Sequence, residues 1–170
     1  MTIVLGIDPG SRHTGYGLIE CVSNRNRHIA HGRIDTVAGE MPARLLAIFN
    51  GLASLIREYK PDEIAIEETF VNRVNAGSAL VLGQARGAAI CACAQAGVVV
   101  AEYAAAQVKV AIAGNGRAEK QQVQHMVKVL LNLREALPLD ASDALAVALT
   151  HAHVRGTRLR AGVTLKASWS

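Results

Sequence analysis

The chain has 170 residues, of which 51% are hydrophobic and 19% charged, and its formal net charge is +4. That length suits one domain with a sizeable core, and that composition excludes a disordered chain. Three cysteines, Cys21, Cys91 and Cys93, are an odd number without paired metal-ligand spacing, which points to reduced structural thiols in a cytoplasmic protein rather than to a disulfide framework.

The first element is a short apolar run, Ile3 to Ile7, read as a buried strand and closed by the turn Asp8-Pro9-Gly10-Ser11. Thr14 to Val22 and Arg27 to Val37 read as two more strands, completing an antiparallel meander. From Pro42 to Tyr59, Leu45, Leu46, Ile48, Phe49, Leu52, Leu55 and Ile56 recur at helical spacing. Lys60-Pro61-Asp62 stops that helix. Glu63 to Glu67 is then a strand, placed parallel to the first by the right-handed crossover rule.

Residues 70–77 read as a loop, and Ser78 to Ala96 as a helix of small residues that permits close approach to the sheet or to a partner subunit. Val98 to Ala101 is a strand. Helices follow at Glu102 to Ile112, Ala118 to Leu131 and Asp140 to His153, the first ended by Gly114-Asn115-Gly116. This order predicts an α/β fold with a mixed sheet. No apolar run is expected to span a bilayer, and the N-terminus lacks the pattern of a secretory leader. Residues 155–170 hold Arg155, Arg158, Arg160 and Lys166 and no acid, so one folded domain over 1–154 and a flexible basic tail over 155–170 are expected.

Four acids lie at the ends of these elements. Asp8 ends the first strand, Glu67 ends the fourth, and Asp140 and Asp143 share a face at the start of the last helix. Singly, each has an ordinary explanation: a turn residue before Pro9, a satisfied strand-end carboxylate, an N-cap, a first-turn helix acid. Jointly, the fold brings all four to the carboxyl ends of the strands, where open α/β sheets build their sites. Converging acids repel, and a helix N-terminus relieves that only in part. An all-oxygen set suits Mg²⁺ or Mn²⁺. Such sites hydrolyse phosphodiesters with two cations roughly 3.5–4 Å apart, one activating water and one stabilising the leaving oxygen.

Several spaced blocks carry a family resemblance. They are Gly6-Ile-Asp-Pro-Gly-Ser-Arg-x-Thr-Gly-Tyr-Gly17, Ala65-Ile-Glu-Glu-x-Phe70, Leu82-Gly-Gln-Ala-Arg-Gly87, Glu102-Tyr-Ala, Gln107-Val-Lys109, Ala118-Glu-Lys120, Val123-Gln-His-Met126 and Asp140-Ala-x-Asp-Ala-Leu-Ala146. From about residue 3 to His153 the chain resembles the RuvC family of Holliday junction endonucleases. The resemblance implies an RNase H-like nuclease domain with a mixed five-stranded sheet, a homodimer, and paired symmetric nicks in four-way DNA junctions that leave 5′-phosphate and 3′-hydroxyl ends. It implies metal-binding and catalytic roles for Asp8, Glu67, Asp140 and Asp143, with two Mg²⁺ per site and Mn²⁺ as a substitute. It implies DNA contact by Lys109 and Lys120, a junction-probing aromatic at Phe70, and the RuvA–RuvB branch-migration complex as partner. Arg73 and Arg117 are further DNA-contact candidates, and Arg86 fits either DNA or a subunit interface. Glu68 is an extra acid that the family pattern does not explain. His151 and His153 are read as helix-end residues facing the dipole, not as ligands.

Two other classes compete with this reading. A nucleotide-binding phosphotransferase of the actin and sugar-kinase type shares the Asp8-Pro-Gly-Ser turn, but the chain is short for a two-domain cleft and shows no second phosphate loop. A DNA-binding module without catalysis conflicts with four acids facing phosphates.

Overall fold

The computed structural model describes residues 1–23, 25–36, 39–68 and 76–162. The chain opens with the antiparallel strands β1 (Thr2–Asp8), β2 (His13–Val22) and β3 (Arg25–Asp35). Helix α1 (Met41–Tyr59) crosses back to β4 (Glu63–Glu67), which pairs parallel with β1. Helix α2 (Ala76–Gln95) leads to β5 (Val99–Tyr103), parallel to β4, and α3 (Ala105–Ala113), α4 (Lys120–Leu130) and α5 (Leu139–Arg160) follow. The sheet order is β3-β2-β1-β4-β5, the mixed five-stranded sheet expected from the sequence.

Side-chain alternation along the strands builds a core on each face. Leu5, Ile7, Ile64 and Ile66 face α1 and α2, against Ile48, Leu52, Ala85 and Ala89. Val4 and Ala65 face the other way, against Leu145 and Leu149 of α5, with Val108 and Val123 of α3 and α4 beyond. The same alternation puts Gly6 and Asp8 in line with Val4, and Glu67 in line with Ala65. Both strand-end acids therefore point into the layer that contains α5. The register Ile7 to Ile66 sets them side by side at one end of the sheet.

Helix α5 lies on the sheet at backbone contact. A Cβ on Gly6 would run into the Ala144 carbonyl oxygen and the Ala148 amide, and one on Gly15 would run into the Asp140 carbonyl. These glycines, opposite Ala141, Ala144 and Ala148, are what let the first turn of α5 reach the end of β1.

Several boundaries depart from expectation. Glu102 and Tyr103 belong to β5, paired with Ile66 and Glu67, and α3 starts only at Ala105. The last helix runs past His153 to Arg160, so the expected domain boundary at 154 falls inside it. Arg155 is no tail residue: its Nε lies 2.9 Å from Glu63 of β4. Lys166 lies outside the described residues, as does most of the loop expected over 70–77, although Ala76 and Gly77 belong to α2. The expectation about bilayer-spanning runs is also corrected. Gly77–Gln95 is long and apolar enough by length and composition alone, with a mean hydropathy of 1.2. Its inner face is nonetheless core, through Ala85, Ala89, Ala92 and Cys93, and Arg86 within it pairs with Glu102 of β5.

The close approach predicts a contrast between two glycines. Gly6→Ala, which forces α5 off the sheet, should cost about 1–3 kcal/mol in chemical unfolding. Gly156→Ala, in α5 where an added Cβ meets nothing, should stabilise by about 0.5–1 kcal/mol. Equal effects at both positions would contradict the packing described.

Candidate active site

Asp8, Glu67 and Asp143 line one cleft of about 230 Å³, together with Lys109, Lys120, Ala105, Val108, Val123 and Ala146. Each of the five charged groups comes from a different element. Asp8 and Glu67 end the adjacent strands β1 and β4, Asp143 lies on the first turns of α5, Lys109 on α3 and Lys120 at the first position of α4. Asp140 does not line the cleft but is near enough to act on Asp8. It is not the N-cap, which is Pro138, but a first-turn acid of α5.

The electrostatics of this cluster are unbalanced. Burial pushes the Asp8 carboxyl up to about 7, and Glu67, Asp143 and Asp140 push in the same direction against Lys120. Burial and Asp143 raise Glu67 as well, with Lys120 and Lys109 opposing. Lys120 answers with a salt bridge of 3.0 Å to Asp143 Oδ2. That hydrogen bond, with the pull of Asp8 and Glu67, raises its own pKa above the ordinary lysine value. A cation at the first position of a helix opposes the helix dipole, so Lys120 stands there for its acidic neighbours.

A hard divalent cation fits this donor set. The oxygens are carboxylates, the four acids outnumber Lys109 and Lys120, and among the described residues no histidine or cysteine lines the cleft. As placed, the acids do not close on a single point: among the described residues no three Asp, Glu, His or Cys side chains form a finished cage. Lys120 draws Asp143 toward itself instead.

The other expected residues divide clearly. Arg117 is exposed in the turn before α4, its backbone N–H bonded to Asn115 Oδ1 at 3.0 Å, and it does not line the cleft. Phe70 and Arg73 lie outside the described residues. Arg86 pairs with Glu102. Glu68 is exposed and outside the cleft, and its backbone N–H extends the β4–β5 pairing by bonding to the Tyr103 carbonyl at 2.9 Å.

His151 departs from its expected place at a helix end. It is 2% exposed in the interior of α5. Its Nε2 lies 2.7 Å from Glu63, which accepts, and its Nδ1 lies 2.9 Å from the Tyr103 hydroxyl. Burial pushes Glu63 up, but His151 and Arg155 outweigh it and hold the carboxyl below its ordinary value. This buried chain ties α5 to β4 and β5. Sequence spacing offers no signal for it, because Glu63 and His151 are 88 residues apart.

A sequence and a fold of this kind have counterparts among known proteins. The family model for crossover junction endodeoxyribonuclease RuvC matches residues 4–151. The chain belongs to the RuvC family. A RuvC relative from Shewanella pealeana is 55% identical over 90% of this chain and 88% of its own. Another from Xanthomonas euvesicatoria is 51% identical over 100% of this chain and 98% of its own. Among solved structures, Thermus thermophilus RuvC in complex with a Holliday junction substrate superposes with a TM-score of 0.85 at 35% identity, covering 92% of this chain and 96% of that one. The yeast mitochondrial resolvase Ydc2 shares the fold, with a TM-score of 0.63 at 13% identity. The fold is thus the RNase H-like fold of RuvC resolvases. The phosphotransferase alternative finds no support and is set aside.

The raised Asp8 carboxyl has a sign that stability measurements read directly. A folded-state pKa of about 7 against an ordinary 3.8 means that folding resists ionising this group. The penalty is absent below about pH 4 and grows until pH passes about 7, where it levels off at a few kcal/mol, accumulating about 1.4 kcal/mol for each pH unit crossed between the two values. In EDTA, Asp8→Asn should therefore match the parent near pH 4 and exceed it in urea unfolding at pH 8. A gain that does not change with pH would contradict this assignment.

Proposed function

We propose that the chain is an endodeoxyribonuclease that resolves four-way DNA junctions with a divalent cation, Mg²⁺ or in its place Mn²⁺. The observation that carries this reading is the cleft in which Asp8, Glu67 and Asp143 crowd together beside Lys109 and Lys120. The junction-bound Thermus relative supports the substrate.

In this reading Asp8, Glu67 and Asp143, with Asp140 behind them, hold cations in the cleft, two per site by the general pattern of such nucleases. When bound, the cations neutralise the carboxylates, polarise the scissile phosphate and lower the pKa of the attacking water. Lys109 and Lys120 supply positive charge at the cleft wall, where a phosphodiester gains negative charge during attack. Lys120 has two uses for its charge: it holds Asp143 when no cation is present, and it is free for phosphate when one is. Val108, Val123 and Ala146 give the cleft an apolar lining, which strengthens each of these interactions. Arg117, exposed on the turn between α3 and α4, extends the positive rim toward the DNA backbone, and Phe70 and Arg73, which precede α2 in the chain, complete the proposed contacts. In-line attack leaves 5′-phosphate and 3′-hydroxyl ends.

A homodimer gives two such sites for paired nicks, and symmetry makes its interface the same surface on both copies. Helix α2 supports this placement. Ala85, Ala89 and Cys93 occupy its inner face. Its outer face carries Leu80, 72% exposed, with Gly83 and Gly87, where an added Cβ would meet nothing. An apolar helix face lined with glycine suits close contact with its own copy. The RuvA–RuvB branch-migration complex remains the proposed partner on the strength of the family alone.

The test is cleavage of a synthetic four-way junction beside linear duplex and RNA–DNA hybrid, with and without Mg²⁺. The parent should nick only the junction, in symmetric pairs, and only with the cation. Asp8→Asn should bind the junction but cut it at least about 10³-fold more slowly, in the range of losing a principal charge-stabilising group. In the same assay Gly87→Arg should sever the pairing of the two nicks. Normal cutting by Asp8→Asn would overturn the reading.

A further inference from the structure

The turn that leaves β1 immediately after Asp8 is held more firmly than a surface turn requires. Thr36, just past β3, donates its backbone N–H to the Arg12 carbonyl at 3.0 Å. Its hydroxyl lies 3.0 Å from the Ser11 carbonyl oxygen and 3.1 Å from that of Arg12. Arg44, near the start of α1, donates from Nε to the Ser11 carbonyl at 3.0 Å and from Nη2 to the same oxygen. Thr14 closes the turn from within, donating its hydroxyl to the Gly10 carbonyl at 3.0 Å. The turn is thereby tied to β3 and to α1 at once, and Arg12 is carried on it with its side chain exposed.

The charge of these two arginines is not used by the fold. The acid at the end of β3, Asp35, is already engaged by His13 at 2.7 Å and by Arg33 at 2.9 Å. Among the described residues, no carboxylate pairs with Arg12 or Arg44. The charges that offset the acidic cluster are Lys120 and Lys109, not either arginine. Arg44 also sits near a helix start that has no acid in its first turn, where a cation is disfavoured by the dipole. The exposed Arg12 guanidinium, on a clamped turn that follows Asp8, matches a phosphate, which an arginine fork recognises with planar geometry, and Arg44, bonded to the same turn from α1, adds a second positive charge. Sheet order sets the side. Arg12 stands on the β2 and β3 flank of Asp8, whereas Lys109 and Lys120 stand on the flank of α3 and α4.

We propose that Arg12, mounted on the turn clamped by Thr36 and Arg44, binds a backbone phosphate of the DNA on the flank of the cleft opposite Lys109 and Lys120, with Arg44 adding its charge from behind. This rests on the nuclease reading above. The duplex then straddles the carboxylates between two cationic walls, and its register over the cleft is set from both sides. Because the mount is rigid beforehand, little ordering is lost when DNA binds.

The salt dependence of binding tests this. Full-length chain in the non-cleaving Asp8→Asn background is titrated with a labelled four-way junction across a series of KCl concentrations. Adding Arg12→Gln should weaken binding several-fold and lower the slope of log K against log salt by about 0.9 for each subunit that engages the DNA, the value for one duplex phosphate contact. Arg12→Lys should restore the slope, since a point charge suffices for the counterion term. A slope for Arg12→Gln equal to that of the parent, or a slope for Arg12→Lys as low as that of Arg12→Gln, would overturn the phosphate contact. If the Asp8→Asn parent itself does not bind the junction, the nuclease reading falls and this inference falls with it.

Discussion

Contact between α5 and the first two strands governs everything at the functional end of the molecule. Gly6 and Gly15 leave no side chain between the sheet and the helix, so the carbonyls of Ala144 and Asp140 rest where a Cβ would otherwise stand. A helix that close presents its first turns to the strand ends, and those turns carry Asp140 and Asp143. The part-buried chain of Tyr103, His151, Glu63 and Arg155 then ties the second half of the helix to the sheet. Packing thus forces carboxylates together against their own repulsion. Folding energy from two apolar layers holds them there.

That forced convergence explains the rest of the site. A carboxyl pushed up to about 7 is under strain at neutral pH, and the strain is relieved by positive charge. Lys120 relieves part of it through Asp143, at the cost of standing at a helix start. A divalent cation relieves more, because it meets several oxygens at once. The same unbalanced charge repels a phosphate backbone until cations are present, which is why positive side chains on the flanks matter. Lys109 and Lys120 stand on one side, and Arg12 and Arg44 on the other.

Much of this was legible in the sequence. Buried strands show as continuous apolar runs, and their carboxyl ends put Asp8 and Glu67 at one edge of the sheet. The acids of α5 were legible because three-residue spacing is a helical face. What failed were features decided by partners distant in the chain. Tyr103 belongs to β5 because its strand neighbour is Glu67 and its hydroxyl finds His151. The last helix continues beyond His153, where Arg155 reaches Glu63, so Arg155, Arg158 and Arg160, which read as a basic tail, lie in that helix. Composition alone made α2 ambiguous, since an alanine- and glycine-rich helix is core on one face and open on the other. The glycines of the first block were visible, yet the close approach they permit became apparent only with α5 in place.

The proposed mechanism stands on the carboxylates forming a cation site whose charge is unbalanced until the cation binds. Calorimetric titration of Mg²⁺ or Mn²⁺ into the chain near pH 6.5, in two buffers of different ionisation enthalpy, tests it directly. With the Asp8 carboxyl at about 7 before binding, a bound cation must displace its proton. The expected result is net proton release on binding, and its loss together with weaker affinity in Asp8→Asn. Binding with no proton exchange, or binding that Asp8→Asn leaves unchanged, would contradict it.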